Sequence, residues 1–420
     1  MKRLLLTVLL VALLAPASAQ AGSSVRFGIQ DDAWLAYGPG SLEQRLLKLD
    51  RLGVDLVRFT VEWNRVAAKR PQRARDHGDP AYDWAVADTV LRGLRKHGIA
   101  AVVGLNGSPA WANGHRAPNW APSSGASMAD FAYAAARRYS WVRDLLIWNE
   151  PNQRRWLLPT SPAVYTARIL NPAYAGIHAA NRRARVGGGV TAPRGNAGGS
   201  SPVEWIRGMK RAGAKLDAYA HHPYPLDPRR DTPFSGGCDH CTTITMASLE
   251  RLIREVSTSF PGKRIWLTEF GYQTNPPDRQ AGVSPAAQAR FIGEAALRVY
   301  RAPLVDMLIH YLVQDEPDVG RWQSGLQTVA GRAKPAMQAF ALPLAQLPGS
   351  RQVWGQVRPR GGSQVYRLQY SSGGTWRWLG GTARTSSSGA FYRTVAFAKG
   401  TRVRIWSPRD RAYSAIVTLR

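Results

Sequence analysis

Between about Val25 and Leu344 the chain alternates eight short apolar or β-branched runs with stretches of helical period, and this alternation constrains the fold more than any other feature. The runs are Val25–Gln30, Val54–Val61, Ala100–Leu105, Val142–Trp148, Ala184–Val190, Leu216–His221, Arg264–Glu269 and Val305–Tyr311. Between and after them lie Leu42–Leu52, Ala85–His97, Met128–Tyr139, Pro162–Arg183, Val203–Ala212, Ile244–Phe260, Pro285–Tyr300 and Lys334–Leu342. In Leu42, Leu46, Leu49 and Leu52 the spacing lays one apolar stripe along a helix face. Strands that alternate with helices predict a parallel sheet, and eight pairs match a closed (β/α)8 TIM barrel, an α/β fold. A doubly wound sheet needs no eighth pair, and no Gly-x-Gly-x-x-Gly follows the first run.

Past Leu347-Pro348-Gly349-Ser350 the texture changes to two-residue alternation, as in Val353–Val357, Val365–Tyr370, Arg393–Phe397 and Thr401–Trp406, broken by Gly/Ser clusters. Residues 348–420 are therefore expected to form a small antiparallel β-sandwich module behind a barrel over 22–347. The segments around Gly373–Leu379 and Thr385–Phe391 resemble short Ig-like or prealbumin-like modules appended to exported enzymes. Trp376, Trp378 and Tyr392 either offer a sugar-stacking face or fill the module's core.

At the N-terminus, Lys2 and Arg3 precede an apolar run to Leu14, then Pro16 and Ala17-Ser18-Ala19. That is the pattern of a cleavable signal peptide over 1–21, so the mature chain is expected to be secreted, to begin near Gln20 or Gly22, and to carry no transmembrane anchor. Export bears on Cys238 and Cys241 in Gly-Gly-Cys-Asp-His-Cys. The pair is read as a short-loop disulfide; a redox pair is an alternative, and a zinc site lacks a second Cys/His pair nearby.

The 420 residues carry a formal charge of +28, or +26 without Lys2 and Arg3. The basic residues are spread along the chain without a helix-turn-helix, zinc-finger or RNA-binding signature, so nucleic acid is not the expected partner. A diffuse positive field favours acidic polysaccharide or an anionic envelope surface, or else reflects abundant Arg on solvated faces.

In a barrel of this kind, chemistry sits at the C-terminal strand ends. The fourth run ends in Ile147-Trp148-Asn149-Glu150-Pro151-Asn152 and the seventh in Trp266-Leu267-Thr268-Glu269-Phe270-Gly271. Each delivers one Glu to the rim, from strands that face each other across the mouth. Two opposed carboxylates are what glycoside cleavage needs, one to protonate the leaving oxygen and one to attack the anomeric carbon. Salt bridges at the rim are the structural alternative.

Trp-Asn-Glu-Pro-Asn and Leu-Thr-Glu-Phe-Gly resemble the acid/base and nucleophile motifs of clan A glycoside hydrolases, especially families 5 and 39, over nearly the whole barrel. The resemblance implies that Glu150 is the acid/base, that Asn149 hydrogen-bonds the 2-hydroxyl of the bound sugar, and that Glu269 is the nucleophile of a retaining double displacement. Arg58 matches the clan's strand-two arginine, and a cation there favours the ionised form of Glu269. A drier setting between Trp148 and Pro151 favours a protonated Glu150.

After the sixth run, His222 and Tyr224 of His221-His222-Pro223-Tyr224 fit a family pattern in which a His and a Tyr flank the nucleophile. Trp111, in Ser108-Pro109-Ala110-Trp111-Ala112, resembles a family 39 aromatic that lines a subsite. The clan's strand-eight aromatic has two candidates, Tyr311 and Trp322, one early and one late in the sequence. Trp34 is a further aromatic candidate, and each of these rings equally suits packing. The expected activity is hydrolysis of a β-linked polysaccharide or oligosaccharide, in which an anionic polymer would suit the charge, by a monomer that needs neither metal nor organic cofactor. A barrel that binds carbohydrate without turnover, or a basic surface protein whose module is the working part, are the alternatives.

Overall fold

The computed structural model describes residues 25–238 and 242–420. The expected signal peptide over 1–21, and Cys241 with its expected bond to Cys238, fall outside these residues. Eight parallel strands, β1 (Arg26–Gln30), β2 (Leu56–Glu62), β3 (Ala100–Asn106), β4 (Asp144–Ile147), β5 (Arg185–Thr191), β6 (Ala218–His221), β7 (Arg264–Phe270) and β8 (Val305–Tyr311), form a closed barrel in sequence order. The ladder closes where Arg26–Gln30 pair with Met307–Tyr311. Each predicted strand lies within a few residues of its observed bounds. No described helix is long and apolar enough to cross a membrane.

The outer helices start where sequence chemistry lets them. Ser161, Ser201 and Ser284 each cap a helix whose first residue is proline, so the side-chain oxygen satisfies a free backbone N–H while proline forgoes one. Two helices differ from expectation. The stretch read as one helix over Pro162–Arg183 is interrupted by a π-helical turn at Thr166–Leu170, where the Asn171 N–H reaches back to the Thr166 carbonyl. Pro172, next in line, has no N–H to offer the normal ladder. The helix expected from Ile244 begins only at Leu249, because Ile244 and Met246 donate instead to the carbonyls of Pro193 and Pro223.

Inside the barrel, bulk on one strand faces glycine on another. Trp266 of β7 is fully buried, and a Cβ on Gly187 of β5 would lie 2.7 Å from its ring. A Cβ on Gly28 of β1 would lie 2.2 Å from Leu56. Below this layer the strand starts carry alternating charges. Asp144 pairs with Arg26 across the barrel and with Arg185, both at 2.7 Å. Asp306 takes Arg185 at 3.1 Å, Arg264 at 2.7 Å and the Trp266 indole N–H at 3.2 Å. The N-terminal pole is thus closed by ion pairs, which leaves the C-terminal pole open for a site.

The C-terminal region folds as two packed antiparallel sheets. One holds β9 (Leu344–Gln346), β10 (Gln352–Gln356) and β13 (Ala390–Thr394) in the order β13-β10-β9. The other holds β12 (Thr375–Arg384), β11 (Val365–Ser372), β14 (Arg402–Ser407) and β15 (Ala412–Tyr413) in that order, with β16 (Val417–Thr418) on β14. Their facing sides bury Val353, Phe391, Tyr366, Leu368, Val403 and Ile405, and Tyr366 stacks on Phe391 at 3.9 Å. Gly373 and Gly374, both at positive φ, make the tight β11–β12 turn. The β12 strand is where the reading by alternation fell short, since its apolar residues face both ways. Arg358 joins the two parts: its guanidinium lies 3.7 Å from the centre of the Phe27 ring and donates to the Phe340 carbonyl at 2.8 Å.

The ion pairs at the N-terminal pole carry a stability consequence. Asp144 is 1% exposed and serves two arginines from separate strands, so Asp144→Ala leaves Arg26 without its partner and Arg185 with Asp306 alone, and is expected to cost about 2 kcal/mol. Arg230→Ala, which removes a solvent-facing pair with Asp227, is expected to leave the unfolding midpoint unchanged. Thermal and denaturant melts of the two variants check the contrast.

Candidate active site

The end of β4 is an unusual piece of backbone. Trp148 and Glu150 have φ of 74° and 39°, a region that costs a non-glycine residue about 1–3 kcal/mol and is held only by its surroundings. Here the surroundings are specific. Trp148 N–H donates to the Leu105 carbonyl of β3 and Glu150 N–H to Val190 of β5, each at 2.9 Å. The Trp148 indole donates to the Trp156 carbonyl at 2.8 Å. Asn152, fully buried, accepts from Ala192 N–H and donates to the Ser200 carbonyl, which pins the loop after β5 to the loop after β4. Glu150 is therefore aimed by two neighbouring strands. Glu269, the sixth residue of β7, is aimed by a different device: three residues after the interior-facing Trp266, regular alternation would turn it outward, and the register irregularity between Leu267 and Phe270 is what brings it to the mouth.

Arg58 of β2 organises what lies between them. Its Nη1 donates to Glu269 Oε1 at 2.6 Å and to the Thr268 carbonyl at 3.1 Å, and its Nη2 donates to Asn149 Oδ1 at 2.7 Å. Tyr224 donates its hydroxyl to Glu269 Oε2 at 3.1 Å. Both oxygens of Glu269 thus accept from fixed donors. Asn149, held through its oxygen, keeps its amide N–H2 free of hydrogen bonds among the described residues.

The same arginine sets the state of His222. Nη1 lies 3.1 Å from His222 Nε2, and guanidinium can only donate, so Nε2 is the acceptor and the neutral ring carries its proton on Nδ1. That Nδ1–H points at Glu150 Oε1, 3.0 Å away. Burial drives the His222 pKa down to about 3, with Glu269 opposing and Arg58 assisting. Burial raises Glu150 to about 7 against the pull of Arg58, the Trp156 side chain and Arg155. With Oε1 occupied by the imidazole N–H, the proton of neutral Glu150 resides on Oε2.

One donor-type atom from each of Glu150, His222 and Glu269 lies within 4.8 Å of the other two, a spacing that a metal ion would also accept. The residues fit a cation poorly. Arg58 already brings a positive charge to Glu269, and His222 turns an N–H, not a lone pair, toward Glu150.

The aromatic candidates divide. Tyr311, the last residue of β8, meets Tyr224 edge-on at 6.4 Å and Trp322 edge-on at 5.5 Å, while Trp322 lies 4.9 Å from Tyr224. The late Trp322 returns to the site because the loop after β8 folds back, anchored by a buried Lys334–Asp315 pair at 2.7 Å and by Asp31 accepting from Val313 and Gln314 N–H. Both strand-eight candidates therefore belong to one aromatic corner behind Glu269. Trp111 lies elsewhere: its indole donates to the Ala67 carbonyl and its ring packs edge-on against Trp63 at 5.8 Å. Trp34 is 5% exposed and sits in the core. Neither ring touches either carboxylate. His221 turns away as well, toward Thr191 and the Ile244 carbonyl.

Two site residues escaped sequence reasoning. Trp156, six residues beyond Glu150, hydrogen-bonds its carboxyl through the side chain. Asp32, just past β1, accepts from Thr60 N–H at 3.1 Å; burial raises its pKa while Thr60, Arg58 and Gln30 pull it down. The signal for Asp32 was present, an acid two residues past a strand end, but it also reads as an ordinary first-turn helix residue.

The raised pKa of Glu150 has a thermodynamic sign. Its folded value of about 7 exceeds its ordinary 4.5, so the folded state holds the extra proton between those values and loses stability as pH rises through them. Glu150→Gln removes that titration, and its stability relative to the parent is expected to improve by about 2–3 kcal/mol between pH 4 and pH 8. Unfolding midpoints at the two pH values check it, and a pH-independent difference would contradict it.

Neither a family model nor a curated protein sequence matches this chain. Solved structures do. A family 39 glycoside hydrolase from the gut symbiont Bacteroides cellulosilyticus WH2 superposes with a TM-score of 0.60 at 16% identity, over 89% of this chain and 81% of its own. A glucosidase from Croceicoccus marinus gives 0.60 at 13%, over 92% and 96%. A GH39 enzyme from Xanthomonas axonopodis pv. citri gives 0.59 at 14%, over 92% and 95%. The barrel and its trailing β-sheets are thus similar in fold to clan A glycoside hydrolases along nearly the full length of these chains.

Proposed function

We propose that this chain is an exported retaining β-glycosidase that acts on a polysaccharide or oligosaccharide, with Glu150 as acid/base and Glu269 as nucleophile. The observation that carries the reading is the pair itself: two rim carboxyls whose nearest atoms lie within 4.8 Å, one kept protonated near neutrality and one fixed by Arg58 and Tyr224. Retaining enzymes hold their carboxyls about 5–5.5 Å apart, whereas inverting ones leave about 6.5–9.5 Å for a water.

In this mechanism Glu269 attacks the anomeric carbon while the Glu150 Oε2 proton passes to the glycosidic oxygen. The C–O bond to the leaving group breaks, and a glycosyl ester forms on Glu269. Glu150, now a carboxylate, takes a proton from water that attacks the same carbon and releases the sugar with retained configuration. His222 holds Oε1 throughout, so that proton transfer uses one oxygen. The free amide of Asn149 is placed to donate to the 2-hydroxyl, and the corner of Tyr224, Tyr311 and Trp322 offers apolar surface to the sugar ring. Export rests on the N-terminal pattern of Lys2, Arg3 and the apolar run behind them. The turnover-deficient alternative finds no support in the geometry, because both carboxyls, Asn149 and Arg58 are in contact with their expected neighbours.

The test uses an aryl β-glycoside cleaved by the parent protein. Glu269→Ala and Glu150→Ala are each expected to lose about 10²–10⁴-fold or more in kcat/KM. Azide should rescue Glu150→Ala as a glycosyl azide of retained configuration, and an inverted product would overturn the double displacement. The parent's kcat/KM should fall above about pH 7, as Glu150 loses its proton, and Glu150→Ala should lack that alkaline limb.

A further inference from the structure

The outward side of the β12-β11-β14-β15 sheet is lined by aromatic rings and arginines in alternation. The register fixes which residues share that side: Gln369 pairs with Trp378 and Arg404, Ser371 with Trp376 and Arg402, and Arg367 with Trp406, which in turn pairs with Tyr413. Their opposite neighbours, Leu368, Val403 and Ile405, face the module's core. Tyr392, grouped with Trp376 and Trp378 by sequence, is on β13 of the other sheet and takes no part.

On this face the guanidinium groups lie over aromatic rings. Arg404 is sandwiched, 4.0 Å from the Trp376 ring centre and 3.8 Å from that of Tyr413, with its Nε donating to Gln369 Oε1 at 2.9 Å. Arg367 lies 3.8 Å over Trp378, which is 39% exposed. Arg402 lies near the other edge, 5.7 Å from Trp376. None of the three has a carboxylate partner among the described residues. The module's thirteen Lys and Arg face one acid, Asp410, and that residue is engaged by Ser407 and Arg360.

We propose that this face is a binding platform for an anionic polysaccharide, with Arg367, Arg402 and Arg404 receiving its carboxylates. Three observations point that way. Ring contacts, and for Arg404 the bond to Gln369, already hold the Arg367 and Arg404 guanidinium groups in place, so little rotamer freedom is lost when they receive a carboxylate. The charge has no internal counter-ion to displace. Trp376, Trp378 and Tyr413 each carry a guanidinium over the ring, which leaves less open ring for base stacking and favours a uronate-bearing chain over single-stranded nucleic acid; this choice of polymer also rests on the glycosidase reading of the barrel. Arg358 docks the module against Phe27, near the start of β1 and far along the barrel from Glu150 and Glu269, so polymer held by the module would tether the protein without needing the cleft.

The test measures binding apart from hydrolysis. Full-length protein carrying Glu269→Gln is run by affinity electrophoresis through gels containing polygalacturonate, neutral dextran or single-stranded DNA, at a series of salt concentrations. Retention by polygalacturonate that weakens with salt, with none by dextran, is expected. Arg367→Gln with Arg404→Gln should weaken binding at least tenfold. Arg402→Gln, at the exposed edge where folding is not at stake, should weaken it several-fold. Arg182→Gln with Arg183→Gln, an equal charge loss on the barrel surface, should change it less than twofold. Equal binding by platform and barrel variants would overturn the proposal, as would tighter binding to DNA than to polygalacturonate at the same salt. These outcomes do not depend on turnover, so an inactive parent would sink the glycosidase reading without deciding the platform.

Discussion

The buried guanidinium of Arg58 is the interaction on which the open pole of the barrel depends. It is 2% exposed and reaches Glu269, the Thr268 carbonyl, Asn149 and His222, which come from the ends of β7, β4 and β6. A charge so deep in protein is tolerated only when a counter-charge and several acceptors surround it. The site supplies both. The consequence is that the carboxyl of Glu269, the amide orientation of Asn149 and the tautomer of His222 are set together, because all three answer to one rigid fork of donors. No separate device is needed to divide the roles of the two glutamates. Glu269 receives the cation directly, while Glu150 meets two neutral groups, the His222 imidazole and the Trp156 side chain, and feels Arg58 and Arg155 from farther away, so burial wins there and the carboxyl keeps its proton.

Much of this arrangement was legible in the sequence, and the reason is periodicity. Strand and helix alternation is a one-dimensional record of burial, so all eight barrel strands were found from their apolar runs. Once the strands are counted, Glu150 and Glu269 fall at rim positions without further information. Arg58, His222 and Tyr224 followed from position and resemblance, and the structure brings all three within hydrogen-bond reach of the glutamates or of each other. What a linear pattern does not encode is the path of a loop. Trp322 lies eleven residues past Tyr311 in the sequence, yet the buried Lys334–Asp315 pair folds that loop back onto Tyr224. Trp34 and Trp111 had equally good positions after strands one and three. They sit on short helices, Asp32–Tyr37 and Ala110–Asn113, where Trp34 packs into the core and Trp111 is held by Trp63 and the Ala67 carbonyl.

The same limit explains the misread helix boundaries. Apolar spacing continues through Thr166–Leu170 and Ile244–Ser248, so periodicity alone sees unbroken helix. Hydrogen-bond supply decides otherwise. Pro172 withholds an N–H in the first case, and carbonyls of the loops at Pro193 and Pro223 capture N–H groups in the second. The second capture has a use: Pro223 lies between His222 and Tyr224, so the segment that accepts from Met246 is the one that carries two site residues.

The two poles of the barrel solve opposite problems. At the N-terminal pole Asp144 and Asp306 are saturated by arginines, and Arg358 is wedged between Phe27 and Phe340 with burial pushing it down to about 9, so charge there serves closure and docking. At the C-terminal pole strained backbone at Trp148 and Glu150 is held by bonds to β3 and β5, and one acid is left protonated near neutrality. The module extends the contrast outward. Arg367, Arg402 and Arg404 have no acid partner among the described residues and lean on tryptophan and tyrosine instead. A net positive balance distributed this way is not a uniform coating: where carboxylates were available the fold used them to close the barrel, and where they were not, the guanidinium groups remain presented to solvent.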